Sequence, residues 1–172
     1  STAMGNTTTG RGDYSTAMGN TTFAEGNNST TMGFQTKAYS YNETVIGQYN
    51  TTYTPINANS WNTNDRLFVV GNGTGSGASE SDAMVILKNG KIGIGTSTPT
   101  EDLHVNGNTL IESSHALTKL KVSSTNQNGE AILQLQSRTT EPSRIYFGDD
   151  DNISQGRIEY HNTADYMKIF TN

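Results

Sequence analysis

The chain has 172 residues, a formal net charge of −5 and no cysteine, and only 31% of its residues are hydrophobic. The negative charge argues against a nucleic-acid partner, and the missing cysteines exclude disulfides, thiolate chemistry and cysteine-based zinc sites. No apolar run is long enough to span a bilayer, so membrane insertion is not predicted. A chain of this composition has too few apolar residues to form a sufficient hydrophobic core of its own, which we call its private core. We therefore expect apolar surface to be buried between chains.

A repeat with a period of fourteen residues fills residues 1–50. Its first half is Ser-Thr-Ala-Met-Gly at 1–5 and 15–19, Ser-Thr-Thr-Met-Gly at 29–33 and Glu-Thr-Val-Ile-Gly at 43–47. A weaker second element recurs at 10–12, 24–26 and 38–40. A fixed short period indicates stacked coils, and helical repeats need about thirty residues or more. Since Thr, Gly, Asn and Ser favour turns and strands, we predict one β-coil per unit.

Alternation within each unit separates a small face from an apolar face. The period of two in a strand places Ser15, Ala17 and Gly19 on one side and Met18 on the other. We expect the small face to line a tight interior, so that Gly19→Val would disrupt stacking. We expect the other face to form an apolar ridge along the coil axis. The residues of the structural repeat are Ala3, Met4, Gly5, Ala17, Met18, Gly19, Met32, Gly33, Ile46 and Gly47.

This repeat resembles the head repeat of trimeric autotransporter adhesins, which also occurs in phage tail fibres and related injection-system fibres. The resemblance implies a left-handed parallel β-roll in an intertwined homotrimer. The fourth unit departs from the pattern, because Glu43 replaces the serine and residues 48–54 lack the second element. We interpret this departure as the end of the stack. The chain begins in phase with the repeat, so we expect it to be part of a longer protein.

Residues 51–65 form a predicted transition segment rich in Thr, Asn and Tyr, interrupted by Pro55. Residues 66–107 form a predicted hairpin module, with strands at 66–70, 83–88 and 91–95 and a Gly/Ser-rich loop at 71–82. Asn89-Gly90 is a strong hairpin-turn signal. The sequences at 93–99 and 103–107 resemble a module of trimeric fibres, which implies a thin β-prism whose core three chains share. In such fibres a self-cleaving chaperone usually follows.

Residues 108–172 are predicted to form a C-terminal β domain with β-prism or β-sandwich-like strands. Alternating or apolar stretches favour strands at 117–122, 131–136, 144–147, 156–160 and 166–171. Turns are predicted at Asn128-Gly129, 149–152 and 162–165. The whole chain is therefore predicted to be all-β.

The sequence carries no pattern that indicates an enzyme, a cofactor or a metal site. There is no nucleophile elbow and no placeable carboxylate pair. His104, His115 and His161 are far apart, and the acidic run at 149–152 lacks the spacing of a calcium loop. Arg11-Gly12-Asp13 follows the phase of the repeat, and we interpret it as coincidence rather than as an integrin motif.

Aromatic residues cluster where the repeat ends, at Tyr39, Tyr41, Tyr49, Tyr53 and Trp61. Exposed rings of this kind stack on sugars, which makes Tyr49, Tyr53 and Trp61 candidate receptor- or glycan-binding residues. The interpretation we favour is that the cluster covers the junction between the roll and the hairpin module.

The resemblance implies a structural and receptor-binding trimeric fibre that attaches a phage tail or phage-like particle to a host cell surface. Its partners would be its own copies, a host-surface glycan or protein, and the remaining fibre or baseplate segments. Its place would be extracellular, on a virion tail or cell-surface appendage. One alternative is a membrane-anchored bacterial trimeric adhesin. Another is an ice-binding solenoid with a threonine array at Thr7/Thr21 and Thr8/Thr22, a pattern that fails in the third unit.

Overall fold

The structure is a computed structural model that describes residues 1–112, 120–125, 129–137, 140–147 and 156–171. It confirms an all-β fold built on stacked parallel strands, a β-solenoid, and the only helix among these described residues is a short 3₁₀ helix at Gly77–Ser79. The chain divides into two compact units, Ser1–Leu110 and Ile111–Asn172.

The first unit contains two sheets. The larger sheet has eight strands in the order β1-β3-β5-β7-β8-β9-β10-β11, and the smaller one has the order β2-β4-β6. The strands are β1 Thr2–Asn6, β2 Thr9–Gly10, β3 Thr16–Asn20, β4 Phe23–Ala24, β5 Thr30–Phe34, β6 Lys37–Ala38, β7 Thr44–Gln48, β8 Arg66–Asn72, β9 Asp82–Leu87, β10 Ile92–Ile94 and β11 Leu103–Val105.

Each of the first three coils contains one long and one short strand, the fourth contains only the long strand β7, and the period of fourteen residues is confirmed. Ala3 pairs with Ala17 and Ala17 pairs with Thr31, always in parallel register. The chain turns at two corners per coil, each held by one residue with a left-handed backbone. These residues are Thr7, Tyr14, Thr21, Asn28, Gln35, Asn42 and Tyr49. Such a backbone is costly for residues other than glycine, and asparagine tolerates it best.

The interior of the roll is tight, as the small face of the repeat predicts. Ala17, Ala24 and Val45 are completely buried, and so are hydroxyl side chains such as Thr22 and Thr31. The hydroxyls of Thr22, Ser29, Thr31 and Thr36 have no hydrogen-bond partner among the described residues. The core therefore contains little hydrocarbon and depends on close approach of neighbouring coils.

The prediction that the stack ends at the fourth unit is wrong. β8 continues the parallel ladder beyond β7, with Ile46 opposite Val70 and Gly47 opposite Gly71. The offset between paired residues rises from fourteen to twenty-four, as in Thr44 with Phe68. A new strand can extend the ladder wherever its backbone fits, and Gly71 supplies the required glycine without the rest of the motif.

The transition segment packs along one corner of the coils. The amide of Asn27 donates to the carbonyl of Ala58 at 2.8 Å, and the amide of Tyr41 donates to the carbonyl of Asn57 at 3.3 Å. The segment thus satisfies backbone groups at the corner while it carries the chain to β8.

The predicted hairpin is confirmed. β9 and β10 pair antiparallel around a turn in which Gly90 has φ of 91° and its amide donates to the Leu87 carbonyl at 3.0 Å. β9 also pairs antiparallel with β8, whereas β11 joins β10 in parallel. The module therefore extends the same sheet as the roll.

The second unit contains a three-stranded antiparallel sheet of β12 Ser143–Phe147, β13 Gly156–His161 and β14 Tyr166–Thr171. The strands predicted at 144–147, 156–160 and 166–171 are confirmed. The strand predicted at 131–136 is wrong, because alternation alone does not supply a partner for the backbone ladder. Residues 120–122 of the strand predicted at 117–122 are likewise not a strand. Residues 117–119, His115, Asn128 and the acidic run lie outside the described residues.

Candidate functional site: an exposed apolar sheet face

One face of the eight-stranded sheet carries an unbroken apolar row. Strand pairing aligns, in spatial order, Met4, Met18, Met32, Ile46, Val70, Met84, Ile94 and Val105. With strands about 4.8 Å apart, eight strands extend over about 34 Å. The row crosses both the parallel coils and the antiparallel hairpin, so the roll and the hairpin module share one surface.

A second row lies beside the first on the same face, two residues away along each strand. In spatial order it contains Thr2, Thr16, Thr30, Thr44, Phe68, Ile86, Ile92 and Leu103. The row changes from threonine on the coils to large apolar side chains on the hairpin module. Neither row contains a charged residue. We call the two rows together the apolar face.

The apolar face is open to solvent in the single chain. Met4 is 56% exposed and Leu103 is 61% exposed, and Met18, Met32 and Ile94 are also exposed. The opposite side of the same strands is the private core, where Val45, Val69 and Val85 are completely buried. Contiguous apolar surface of this kind on a soluble protein marks an interaction site.

Glu43 is completely buried at the coil position that Ser15 and Ser29 occupy in earlier units. Its Oε2 atom accepts hydrogen bonds from the amides of Tyr39 and Ser40, both at 2.8 Å. Its Oε1 atom has no partner among the described residues. Burial is the largest effect on this carboxyl and raises its pKa, although the hydrogen bonds and Arg66 act in the opposite direction. The replacement of serine by Glu43 in the fourth unit is the sequence signal for this buried carboxylate, and it does not mark the end of the stack.

A buried ion pair ties the transition segment to the sheet. Arg66 lies 3.5 Å from Asp82 and also donates to the Thr51 carbonyl at 2.8 Å. Asp82 accepts a hydrogen bond from the Thr51 amide at 2.9 Å. Sequence reasoning missed this cluster, because nothing local relates three residues on different segments.

Two more charged groups complete the junction. Asp65 accepts from the amides of Ile56 and Asn57 at 2.7 and 2.9 Å. Lys88 donates to the Ser40 hydroxyl at 2.8 Å. Burial lowers the pKa of Lys88, although the charges of Asp65 and Glu43 act in the opposite direction. These side chains serve backbone and hydroxyl groups, so the arrangement holds the junction together.

The three aromatic residues proposed for receptor binding lie in different surroundings. The Tyr53 ring packs edge-on to Tyr39 at 5.9 Å and beneath the Arg66 guanidinium at 4.2 Å. The Tyr53 hydroxyl is 3.2 Å from Glu43, and burial raises its pKa. It also borders a cavity of about 380 Å³. Tyr53 therefore occupies the junction between the transition segment and the sheet.

Tyr49 and Trp61 lie elsewhere on the first unit. Tyr49 packs edge-on to Phe34 at 5.1 Å. Trp61 is half exposed, with the Lys88 ammonium 5.7 Å from its ring. Among the described residues, no ring contact joins Tyr49, Tyr53 and Trp61 to one another. The structure does not bring them together as one aromatic platform.

The threonine array of the ice-binding alternative does not form as predicted. Thr22 is completely buried, as is its equivalent Thr36 in the next coil. The Thr8/Thr22 position therefore faces the interior of the roll. The threonines that do align on the outer sheet, such as Thr16 and Thr30, share their face with the methionines.

In the part of the chain that the structure describes, no group of three or more His, Asp or Glu side chains is placed to hold a metal ion. The same residues include no helix of the length and apolar character needed to cross a membrane. A scan against models of protein families, a search of curated proteins and a search of solved structures each found no similar protein.

Proposed function

We propose that the chain is a structural segment of a homotrimeric fibre that attaches a phage tail or phage-like particle to a host cell surface. The observation that carries the proposal is the apolar face, an uncharged surface about 34 Å long on an eight-stranded sheet. In the trimer, two further copies of the same chain cover the apolar face.

The direction of the rows favours identical partners. Both rows run across the strands, which is the direction in which coils stack. Parallel copies around an axis along that direction would place Met18 beside Met18 and Ile94 beside Ile94. Such contacts are apolar at every level, and a closed ring leaves no copy with its face uncovered.

The composition of the private core also favours assembly. The private core contributes little hydrocarbon, because alanine, threonine and serine occupy much of it. Burial of the apolar face would therefore supply stability that one chain lacks, and folding would depend on protomer concentration.

Threefold symmetry and the role in attachment rest on the resemblance of the repeat and of residues 93–107 to trimeric fibres. In this role the protein is extracellular, and its partners are the rest of the fibre and a glycan or protein on the host surface. The fibre would act by its length, its stiffness and the complementarity of its surface to the receptor.

Sedimentation equilibrium of the purified chain tests the assembly. We expect a mass of three chains, and we expect Met18→Asp to abolish it, because three carboxylates would be buried together near the axis. Tyr14→Asp is the matched control, since Tyr14 is 85% exposed on a coil corner and belongs to neither row of the apolar face. A well-folded wild-type species with the mass of one chain would refute the proposal.

The same trimeric fraction, labelled with a fluorophore, tests attachment on a panel of bacterial cells. We expect saturable binding that unlabelled protein displaces. Absence of binding to every strain of the panel would count against the attachment role while leaving the assembly intact.

A further inference from the structure

One face of the three-stranded sheet in the second unit concentrates positive charge. Strand pairing places Arg144, Glu159 and Lys168 side by side, and Arg157 lies on the same face beside Phe170. Three of the eleven lysines and arginines of the chain therefore lie on three short strands, although the net charge of the chain is −5. We call this surface the cationic face.

Among the described residues, Glu159 is the one carboxylate of the cationic face, and it lies beneath the cations. Glu159 has a side chain only 3% exposed, whereas that of Arg157 is 32% exposed. Arg144, Arg157 and His161 all contact the Glu159 carboxylate. The hydrogen bond from Arg144 lowers the pKa of Glu159 to about 2, so the carboxylate stays ionised and anchors the cations from below.

Aromatic rings hold the cations in defined orientations. The Arg157 guanidinium lies 3.8 Å from the centre of the Phe170 ring while its Nε donates to Glu159 at 3.1 Å. The Lys168 ammonium lies 4.7 Å from the centre of the Tyr166 ring. Side chains that are already ordered lose less conformational entropy when they bind a ligand.

The opposite face of the same sheet has a different character. Ile145, Ile158 and Ile169 align there across the three strands. Ile169 is among the exposed large apolar residues. An apolar face suits contact with protein, so the cationic face is the side of this sheet suited to a charged ligand.

We propose that the cationic face binds a carboxylate-bearing saccharide, such as a uronic acid unit of a surface polysaccharide. Arginine offers five N–H donors in a fork that matches a carboxylate, and Glu159 engages the Nε donor of Arg157. The negative net charge of the chain repels a long polyanion such as a nucleic acid. A short anionic ligand interacts mainly with the local positive charge of the cationic face.

In the attachment role, a carboxylate-bearing saccharide would be the receptor, and this part of the inference rests on the proposed function. Its test is independent of trimer formation. Isothermal titration calorimetry of the full chain with trigalacturonate should show binding, and neutral galactotriose should show none. Arg157→Gln should weaken the affinity for trigalacturonate about tenfold, the usual effect of losing a charge-assisted hydrogen bond.

Two further variants make the result decisive. Lys168→Gln should also weaken binding, and it leaves the contacts of Glu159 with Arg144, Arg157 and His161 in place, so it decides the question if Arg157→Gln does not fold. Arg11→Gln removes an exposed arginine from the first unit and should bind as the wild type does.

Three results would overturn the inference. They are equal binding of the neutral trisaccharide, unchanged affinity in folded Arg157→Gln and Lys168→Gln, and binding of a short oligonucleotide without binding of trigalacturonate. Sedimentation of the same samples separates this inference from the trimer. A monomer that binds trigalacturonate supports the saccharide site and refutes the trimer, whereas a trimer that does not bind it refutes only the site.

Discussion

The stacking of the coils depends on a row of glycines, and Gly19 is the best position at which to perturb it. Its φ is 128°, a conformation that residues with a side chain rarely adopt. A Cβ atom added there would lie 2.1 Å from the carbonyl oxygen of Gly33 in the next coil. Gly33 approaches Gly47 in the same way, so the close approach is repeated along the roll.

The cost of Gly19→Ala can be worked out from this geometry. Real Cβ contacts essentially never fall below 3.0 Å, so the two backbones must separate by about 0.9 Å, the difference between 3.0 and 2.1 Å. The strained backbone costs about 1–3 kcal/mol. Loss of two ladder hydrogen bonds adds about 2 kcal/mol. We therefore expect the free energy of unfolding to fall by about 3–5 kcal/mol.

Urea denaturation followed by circular dichroism, at one protomer concentration for all variants, measures this change. Gly90→Ala is the matched control, because Gly90 has φ of 91° but an added Cβ would meet nothing within 4 Å. The control contains the strained backbone without the collision, so it should lose about 1–3 kcal/mol. Equal losses in the two variants would refute the argument that close approach of the coils sets the requirement for glycine.

Two further predictions concern the buried charges of the junction. Because burial raises the pKa of Glu43, the folded state binds its proton more tightly than the unfolded state, and the free energy of unfolding should fall as the pH rises above about 4.5. Glu43→Gln should flatten this part of the pH profile in urea titrations, and an unchanged slope would contradict the assignment. Arg66→Ala should cost about 3–5 kcal/mol because it leaves the Asp82 carboxylate buried without its cation, whereas Arg11→Ala at an exposed pair should cost less than about 1 kcal/mol. Similar decreases in the free energy of unfolding for both variants in the same titrations would contradict the prediction that the buried ion pair contributes more to stability than the exposed one.

Much of the roll was predictable from its residues. The period of fourteen, the pairing of equivalent positions and the small interior all follow from the repeat, because each coil pairs with the next at a constant separation. The glycine series was also visible, since only glycine combines the required backbone angle with so close an approach at Gly19. The exposed methionines followed from the alternation of the strands.

The candidate apolar face was predictable only in part. The repeat indicates Met4, Met18, Met32 and Ile46 as one ridge, but not its continuation through Val70 and Met84. That continuation depends on β8 joining the ladder after a change of offset, which no local pattern encodes. The aromatic cluster shows the same limit, because similar residues near one another in sequence lie in unrelated surroundings.

The sequence by itself determined the coils, since a ladder between identical units is a local matter of period, glycine placement and alternation. Only the tertiary structure decided where the ladder continues, that Glu43 is a buried acceptor for backbone amides, and that Arg66 meets Asp82. These features depend on which backbone segments come together after the transition segment, residues 51–65, has carried the chain from β7 to β8. Burial and pairing of that kind are set by the whole packed unit, and the neighbouring residues in the chain do not specify them.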